Sequence, residues 1–381
     1  MKIAEISAFN NFSVGSIMNQ IKVELLNQGH ECKVYYFRNQ QDSNKYLGSK
    51  FNLYYNALLS RLFDIDGFVT KRNTKKLIDE LDEFNPDIVH LHCLHGYYLN
   101  CKLLFEYLKN KKIKVVWTMH DNWAITGHCA YFDLRKCEKW KSGCGGCPAK
   151  KDYPKSLLDF SKRNYIQKKN VFTSLDKTQL YIVSPSKWLD KIIEQSFLNK
   201  YNHKVIYNSI NLSKFKNYDN PREKVLLAVA SVWDERKNLS KVLEISSNLN
   251  EWKVMVVGKI DKKINKEKYV NVKFVDRTNS IDELINIYNS ASILINPTLA
   301  DNYPTVNLEA QMCGLKVMTY NTGGAIETDL GNLFVFDEQT FVNDVYLDNL
   351  FNKVEMIVND DKIMFDAMSQ LYINLFNEIL G

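Results

Sequence analysis

Residues 86–120, PDIVHLHCLHGYYLNCKLLFEYLKNKKIKVVWTMH, decide the fold. Pro86 opens the short apolar run DIVHLH (87–92). Helical spacing follows through Leu99, Leu103, Leu104 and Leu108, and a second strand-like run, KVVWTMH, closes the stretch at 114–120. Two strands joined by a helix lie parallel, because a tight turn can only join antiparallel neighbours. The alternation spreads in both directions. Toward the N-terminus, KIAEISA (2–8) runs into the polar, glycine-containing NNFSVGS. A helical pattern through Ile17, Ile21, Leu25 and Leu26 then ends at Gly29, a C-cap residue. CKVYYF reads as a strand and 73–84 as a helix. Toward the C-terminus, LYIVSPS (180–186) and KVIYNS (204–209) complete a first set of strands.

A second set begins at KVLLAVAS (224–231) and continues through WKVMVVG (252–258), NVKFVD (271–276), ASILINP (291–297) and LKVMTY (315–320). Helical patterns near 238–248, 281–289 and 305–313 separate these strands. The polar, aperiodic stretch 208–223 reads as a linker and 361–379 as an amphipathic helix. The expected architecture is α/β, with two Rossmann-like domains whose parallel sheets face each other across a cleft. No internal repeat or low-complexity tail interrupts it.

With 381 residues, 45% apolar and 25% charged, the chain has the composition of a globular protein large enough for two cores. No run of 18 apolar residues predicts a membrane span. The opening MKIAEISAF lacks the features of a signal peptide, so the expected compartment is the cytoplasm, where thiols stay reduced. The net charge of +6 divides unevenly: residues 1–207 hold 32 Lys+Arg against 20 Asp+Glu, and the remainder 18 against 24. A basic first half suits an anionic lipid surface or an acidic acceptor. Nucleic acid is not expected, since no binding signature accompanies the charge.

Open parallel sheets bind ligands beyond the carboxyl ends of their strands, and the unusual residues collect there. DNYPTVNLE (301–309) sets two carboxylates around Pro304, which suits a first helical turn. The N–H groups of Thr305, Val306 and Asn307 are then candidates to hold a phosphate. Glu309 is a candidate for a ribose diol and Asp301 for sugar hydroxyls. A capping Asp and a surface Glu are the plainer alternative. In SVWDERKNL (231–239), Arg236 and Lys237 follow a strand and can neutralise a diphosphate or a leaving phosphate. As a bare pair at a helix start they would oppose the helix dipole. Gly15, in the first strand-to-helix turn, permits close backbone approach to a ligand. The sequence has no GxGxxG, which disfavours nicotinamide or flavin. His120 ends a strand and is a candidate to bind a sugar hydroxyl or steady charge at the reacting carbon; a structural role is the alternative. For His90, His92 and His95 a structural role leads, with a two-His metal pair as the alternative.

Cys129, Cys137, Cys144 and Cys147 follow the spacing C-x7-C-x6-C-x2-C. Four thiolates so close, ending in CxxC, suit a structural zinc; unligated thiols and disulfides remain open. The insert that carries them, 121–152, is too long for a plain connection and is expected to form a lobe on the acceptor side of the cleft. FNLYYNALLSRLF (51–63) is either a membrane-contacting helix or a buried one.

Taken together, WTMHDNWAITGHCAYF, KWKSGCGGCP, VASVWDERKNL, DNYPTVNLEAQMCG and TYNTGGAIE make the whole chain resemble a family 4 glycosyltransferase of the GT-B fold. The similarity is greatest to the branch that builds capsule, colanic-acid-like and O-antigen polysaccharides. The resemblance implies an acceptor domain over 1–207, a nucleotide-sugar domain over 208–360, and a helix over 361–381 returning to the first domain. It implies that Glu309 holds the nucleotide ribose, that Asp301 contacts the transferred sugar, and that Lys237 binds the diphosphate. His120 matches the family's active-site histidine, and Gly15 a glycine in a phosphate-contacting loop. The chain departs from the pattern at Asp301, where the family has Glu, and at Ser231, where many members have Arg. It departs again at Ser209, where many have Gly after Asn208, and at Ile326, where many have Pro. A retaining mechanism without a catalytic metal is implied, with a UDP-, GDP- or dTDP-sugar as donor and a glycan or lipid-linked oligosaccharide as acceptor. The implied place is the cytoplasm or the inner face of the cell membrane. Two other functions remain at this stage: a nucleotide-sugar epimerase of the same fold, and a non-catalytic sugar-nucleotide-binding scaffold.

Overall fold

Every strand-to-strand ladder in both sheets of the protein runs parallel. The structure is a computed structural model that describes residues 1–9, 12–38, 45–353 and 365–381. It divides into two compact units, Met1–Tyr207 with Asp366–Gly381, and Asn208–Phe365. The expected boundary between 360 and 361 lies outside the described residues.

The first unit contains β1 (Lys2–Phe9), α1 (Phe12–Asn27), β2 (Glu31–Arg38), β3 (Lys45–Tyr46), α2 (Lys50–Phe63), α3 (Lys71–Phe84), β4 (Ile88–Leu91), α4 (Cys101–Lys111), β5 (Lys114–Thr118), α5 (Ser161–Phe172), β6 (Leu180–Ser184), α6 (Lys187–Glu194) and β7 (Asn202–Val205). Its strands lie in the order β3-β2-β1-β4-β5-β6-β7. The second unit contains β8 (Val225–Val232), α7 (Leu239–Ser246), β9 (Lys253–Lys259), β10 (Val272–Val275), α8 (Ile281–Ser290), β11 (Ile293–Asn296), α9 (Thr305–Met312), β12 (Lys316–Thr319), β13 (Leu333–Val335) and α10 (Asp344–Phe351), in the order β10-β9-β8-β11-β12-β13. In each sheet the order reverses beside the first strand, between β1 and β4 and between β8 and β11. An open sheet leaves a crevice at such a reversal, because the flanking connections depart to opposite faces.

Helices cover both faces of the first sheet, which is why its strands read as near-continuous apolar runs. On one face Ile3, Ile88, Val116 and Val183 meet Ile17, Ile21 and Leu25 of α1. Met368, Tyr372, Ile373 and Phe376 of α11 (Phe365–Leu380) join them, so the last helix of the chain belongs to the first unit. On the other face Ala4, Val89, Val115 and Ile182 pack against Leu77 and Leu81 of α3 and Leu104 and Leu108 of α4. Side-chain caps fix several helix starts: Thr70 accepts from the Asn73 N–H, Asn100 from Leu103, and Ser280 from Glu283.

Three sequence expectations change. Gly15 lies inside α1, in its first turn, and not in a turn preceding the helix. The apolar stripe of Ile17, Met18, Ile21 and Leu25 is wholly buried, and it carries helical winding back through the glycine. The cysteine-bearing insert is not a separate lobe. Trp123, Ile125, Cys129, Phe132 and Trp140 join the main core of the first unit, because so many large apolar groups must leave water. Finally, 51–63 is helical but not buried. Asn56 and Ser60 point inward, Asn56 donating to the Tyr97 carbonyl at 3.0 Å, while Phe51 (77% exposed), Tyr54 (75%), Tyr55 and Leu58 face outward.

Candidate functional site

Two groups of polar residues occupy the carboxyl ends of the strands, one at each reversal of strand order. The second unit gathers Arg236, Lys237 and Asp301. β8 ends in a single tight turn, Glu235–Lys237, whose start is capped by Asp234 accepting from the Lys237 N–H at 3.2 Å. Asn238 takes a left-handed conformation (φ 56°) before α7 begins, which separates the two cations from the helix start. Lys237 Nζ lies 2.7 Å and Arg236 Nη1 3.2 Å from the same oxygen, Oδ2 of Asp301, in the loop after β11. Arg236 also donates to the Ala300 carbonyl at 3.1 Å, and its own carbonyl accepts from Leu299 at 2.8 Å. These bonds tie the β8 turn to the β11 loop. Burial raises the Asp301 carboxyl, but Lys237 and Arg236 together hold it below the usual carboxylate range.

α9 begins four residues beyond Asp301. Pro304 is its N-cap residue, extended at ψ 104° and without a side-chain cap, so it stands one position before the expected helical turn. Of the three N–H groups proposed to face a phosphate, that of Asn307 is spent on the Pro304 carbonyl at 3.1 Å; Thr305 and Val306, both half-buried, begin the helix. Glu309 lies one turn further on. Burial raises its carboxyl, while the Tyr288 hydroxyl, donating at 2.9 Å, and Thr305 oppose that rise. Gly323 closes the site from β12: a Cβ there would lie 1.9 Å from the Asp301 carbonyl oxygen, and its φ of +58° suits glycine. Ser231, where many relatives have arginine, is exposed.

The first unit gathers its histidines. Glu5 on β1 and His90 on β4 are register partners across the reversal, and Glu5 accepts from His90 Nδ1 (3.0 Å) and His92 Nε2 (2.6 Å). His92 Nδ1 lies 2.9 Å from His120 Nε2, just past β5. His95 pairs with Asp121 at 2.6 Å and with the Tyr153 hydroxyl at 2.9 Å. Burial lowers His92 to about 4 and His120 well below its ordinary value, so both are neutral at pH 7. His95 is buried too, yet the Asp121 carboxylate keeps it well above. His92, His95, His120 and Asp121 line one small cavity. Two sets, Glu5–His90–His92 and Cys93–His95–Asp121, bring their polar atoms within 4.8 Å of one another; the histidine nitrogens in them bond carboxylates and neighbouring hydroxyls or rings.

The four cysteines of the insert line a second cavity and carry no disulfide. The N–H of Gly127 reaches Cys144 Sγ at 3.1 Å, that of Ala149 bonds Cys147, and the Cys129 thiol bonds Cys147, drawing it to about 7. No three of the sulfurs lie within 4.8 Å of one another.

Sequence reasoning missed Glu5, Tyr288 and Gly323. Glu5 left a signal, being the one acidic residue in the run KIAEISAF, set among residues that are otherwise mostly apolar. Tyr288 left none, since it sits on a helix whose pattern explains it as core.

The chain matches Glycosyltransferase Family 4 over residues 14–214 and Glycosyl transferases group 1 over 223–346. It is 27% identical over 290 residues, 71% of this chain and 68% of the other, to a protein of Escherichia coli (strain K12) named as the colanic acid biosynthesis glycosyl transferase WcaC. The sucrose-phosphate synthase of Thermosynechococcus elongatus superposes with a TM-score of 0.67 at 13% identity, covering 99% of this chain and 100% of that one. Anabaena HepE, crystallised with UDP and glucose, gives 0.63 at 12% identity, again over 99% and 100%. These structural likenesses establish the GT-B fold. With the sequence match spanning more than half its length, the chain belongs to glycosyltransferase family 4, and it is a transferase enzyme.

Proposed function

We propose that the protein moves a hexose or deoxyhexose, with retention of configuration, from a nucleotide sugar to a growing lipid-linked oligosaccharide in cell-surface polysaccharide biosynthesis. The observation that carries this assignment is the convergence of Arg236 and Lys237 on Asp301, beside the start of α9. A nucleoside diphosphate brings negative charge to a site that already holds two cations at fixed positions. Such charges stabilise a leaving phosphate best when they need no rearrangement. Glu309 accepts the ribose hydroxyls, and Asp301 a hydroxyl of the sugar. Thr305 and Val306 offer N–H groups to a phosphate. Loss of the diphosphate leaves an oxocarbenium-like sugar, and the leaving phosphate takes the acceptor proton on the same face. Arg236 and Lys237 then supply the charge compensation, without a catalytic metal. HepE, with UDP and with UDP-glucose bound, supports a nucleotide-sugar donor. The relative named for colanic acid biosynthesis supports the pathway class.

Thermal denaturation with a panel of UDP-, GDP- and dTDP-sugars tests the donor assignment. A donor that binds only the folded chain must raise its Tm. One nucleotide class is expected to do so; a panel without effect, and without release of nucleoside diphosphate, refutes the assignment.

The acceptor proposal draws on α2. Phe51, Tyr54, Tyr55 and Leu58 lie exposed beside Leu157 and Leu158, whose loop is tied to α2 by the Leu157 N–H on the Arg61 carbonyl at 2.7 Å. Lys50, Arg61, Lys155 and Lys162 are exposed nearby in sequence and in the same unit. Apolar groups among cations fit an anionic membrane surface. No helix among the described residues is long and apolar enough to cross a membrane. Salt-sensitive binding to phosphatidylglycerol vesicles, lost in Phe51→Ser/Tyr54→Ser, is expected; equal retention by neutral and anionic vesicles refutes the surface.

The four cysteines are proposed to hold a structural zinc. Tetrahedral thiolate bonds of about 2.3 Å require the sulfurs to close inward and to lose their protons. Cys147 is already drawn down to about 7, whereas burial raises Cys144 to about 11 despite the Gly127 N–H, so the metal's charge would have to supply the rest. Metal analysis of the purified chain is expected to find about one zinc per molecule. Metal-free protein of undiminished Tm identifies the cluster as packed thiols.

A further inference from the structure

Glu5 is wholly buried on β1, and so are His90 and His92 on and just after β4. Its two oxygens take different histidines, His90 at 3.0 Å and His92 at 2.6 Å. A carboxylate can only accept, so the proton on His92 sits at Nε2. The opposite nitrogen, Nδ1, is then the acceptor for the proton at Nε2 of His120, 2.9 Å away. The two rings stack at 5.2 Å with 18° between their planes, and the Trp117 indole pins the His92 carbonyl at 3.0 Å. The order of donors runs one way, from His120 through His92 to Glu5. Beyond Glu5 the chain continues through His90 to Thr118 (2.8 Å) and to Tyr372 of α11 (2.9 Å).

We propose that Glu5 and His92 are positioning residues that fix His120 as the Nε2–H tautomer, so that its Nδ1 accepts a hydrogen bond from a sugar hydroxyl and never donates one. The proposal rests on the assignment of His120 to the active site made above. The carboxylate acts at a distance, through one intervening ring, and does not touch the substrate. A His120 carrying its proton at Nδ1, or protonated at both nitrogens, would present a donor where the hydroxyl proton must point. The buried carboxylate therefore selects which partner the sugar hydroxyl meets.

Long-range ¹⁵N–¹H correlation spectra of the full chain, labelled at histidine, test the tautomers directly. His92 and His120 are both expected as neutral Nε2–H rings at pH 7.5; a His120 proton at Nδ1 overturns the proposal without any mutation. Glu5→Gln, which offers a donor as well as an acceptor, is expected to shift part of the His120 population to Nδ1–H. Unchanged tautomers in that variant remove Glu5 from the relay. His92→Phe keeps the stacked ring and deletes the acceptor. Turnover is measured with whichever of UDP-glucose, GDP-mannose and dTDP-rhamnose raises Tm. A fall in kcat of roughly tenfold is expected, the scale of one hydrogen bond, with donor KM held within twofold. An unchanged kcat overturns the proposal. His120→Ala separates the two claims: full turnover there refutes the active-site assignment, while the spectra still report on the relay.

Discussion

Lys237 Nζ and Asp301 Oδ2 lie 2.7 Å apart across 64 residues of sequence, and this ion pair joins the turn after β8 to the loop after β11. Both side chains are mostly hidden, at 15% and 16% exposure. The pair therefore sits between the exposed case, where little is gained, and the deeply buried case, where desolvation dominates. Its value lies in placement: it keeps a cation and a carboxylate fixed at the crevice of the second sheet.

Removing the cation should therefore affect turnover more than folding. Lys237→Ala is expected to lower kcat by about 10²-fold, the effect of losing one preorganised charge at a leaving group. Steady-state kinetics with the donor identified by thermal shift would check it. Equal kcat in the variant would take Lys237 out of the mechanism.

Glu309 and Tyr288 should separate binding from support. Glu309→Gln is expected to raise donor KM by roughly tenfold, through loss of charge-assisted bonds to the ribose. Tyr288→Phe removes only the hydroxyl that donates to Glu309 at 2.9 Å. It should cost about 1 kcal/mol of stability and change KM less. Paired kinetics and denaturant titrations distinguish the two.

Two glycines of positive φ offer a matched contrast. A Cβ at Gly323 would lie 1.9 Å from the Asp301 carbonyl oxygen, whereas one at Gly29 (φ +77°) meets nothing within 4 Å. Gly29→Ala should cost about 1 kcal/mol from backbone strain and leave activity intact. Gly323→Ala should displace the Asp301 loop and abolish activity, as measured on soluble protein at matched concentration.

The buried histidines set an acid limit on stability. Burial first, then His90, lowers His92 to about 4, and burial also lowers His120. Unfolded, each binds a proton near pH 6.5. Between pH 6.5 and 4 the unfolded chain therefore holds the His92 proton that the folded chain lacks, and stability falls as pH falls, by about 1.4 kcal/mol per pH unit for that group; His120 acts in the same direction. Glu5 behaves differently. Burial raises it, but His90 and His92 hold it at about 2, so its contribution is lost only from about pH 4.5 downward. His95, raised well above its ordinary value, is protonated in both states below 6.5 and does not bend the curve there. Tm measured from pH 7 to 4 should fall steeply, and His92→Phe should flatten the slope by the equivalent of one proton.

Periodicity found most strands of both sheets because a parallel strand buried on both faces is apolar along most of its length, as in KVLLAVAS. It missed β13, three residues long, and the short β3, since runs of that length carry no period. α2 was legible as a helix but not in its orientation. Its aromatic face suits a core and a membrane surface equally, and only its polar contacts, Asn56 to Tyr97 among them, reveal which side turns inward.

By itself the sequence determined two sets of strands and crossover helices, with carboxylates, cations and histidines at strand ends. Apolar periodicity is local, and each run records its own burial. Only the tertiary structure decided that Asp301 meets Arg236 and Lys237, that Gly323 closes on Asp301, and that His92 stands between Glu5 and His120. Those relations join residues far apart in the chain. They depend on strand order and register, and a lone Glu or His in a strand carries no mark of the neighbour that the next strand will bring.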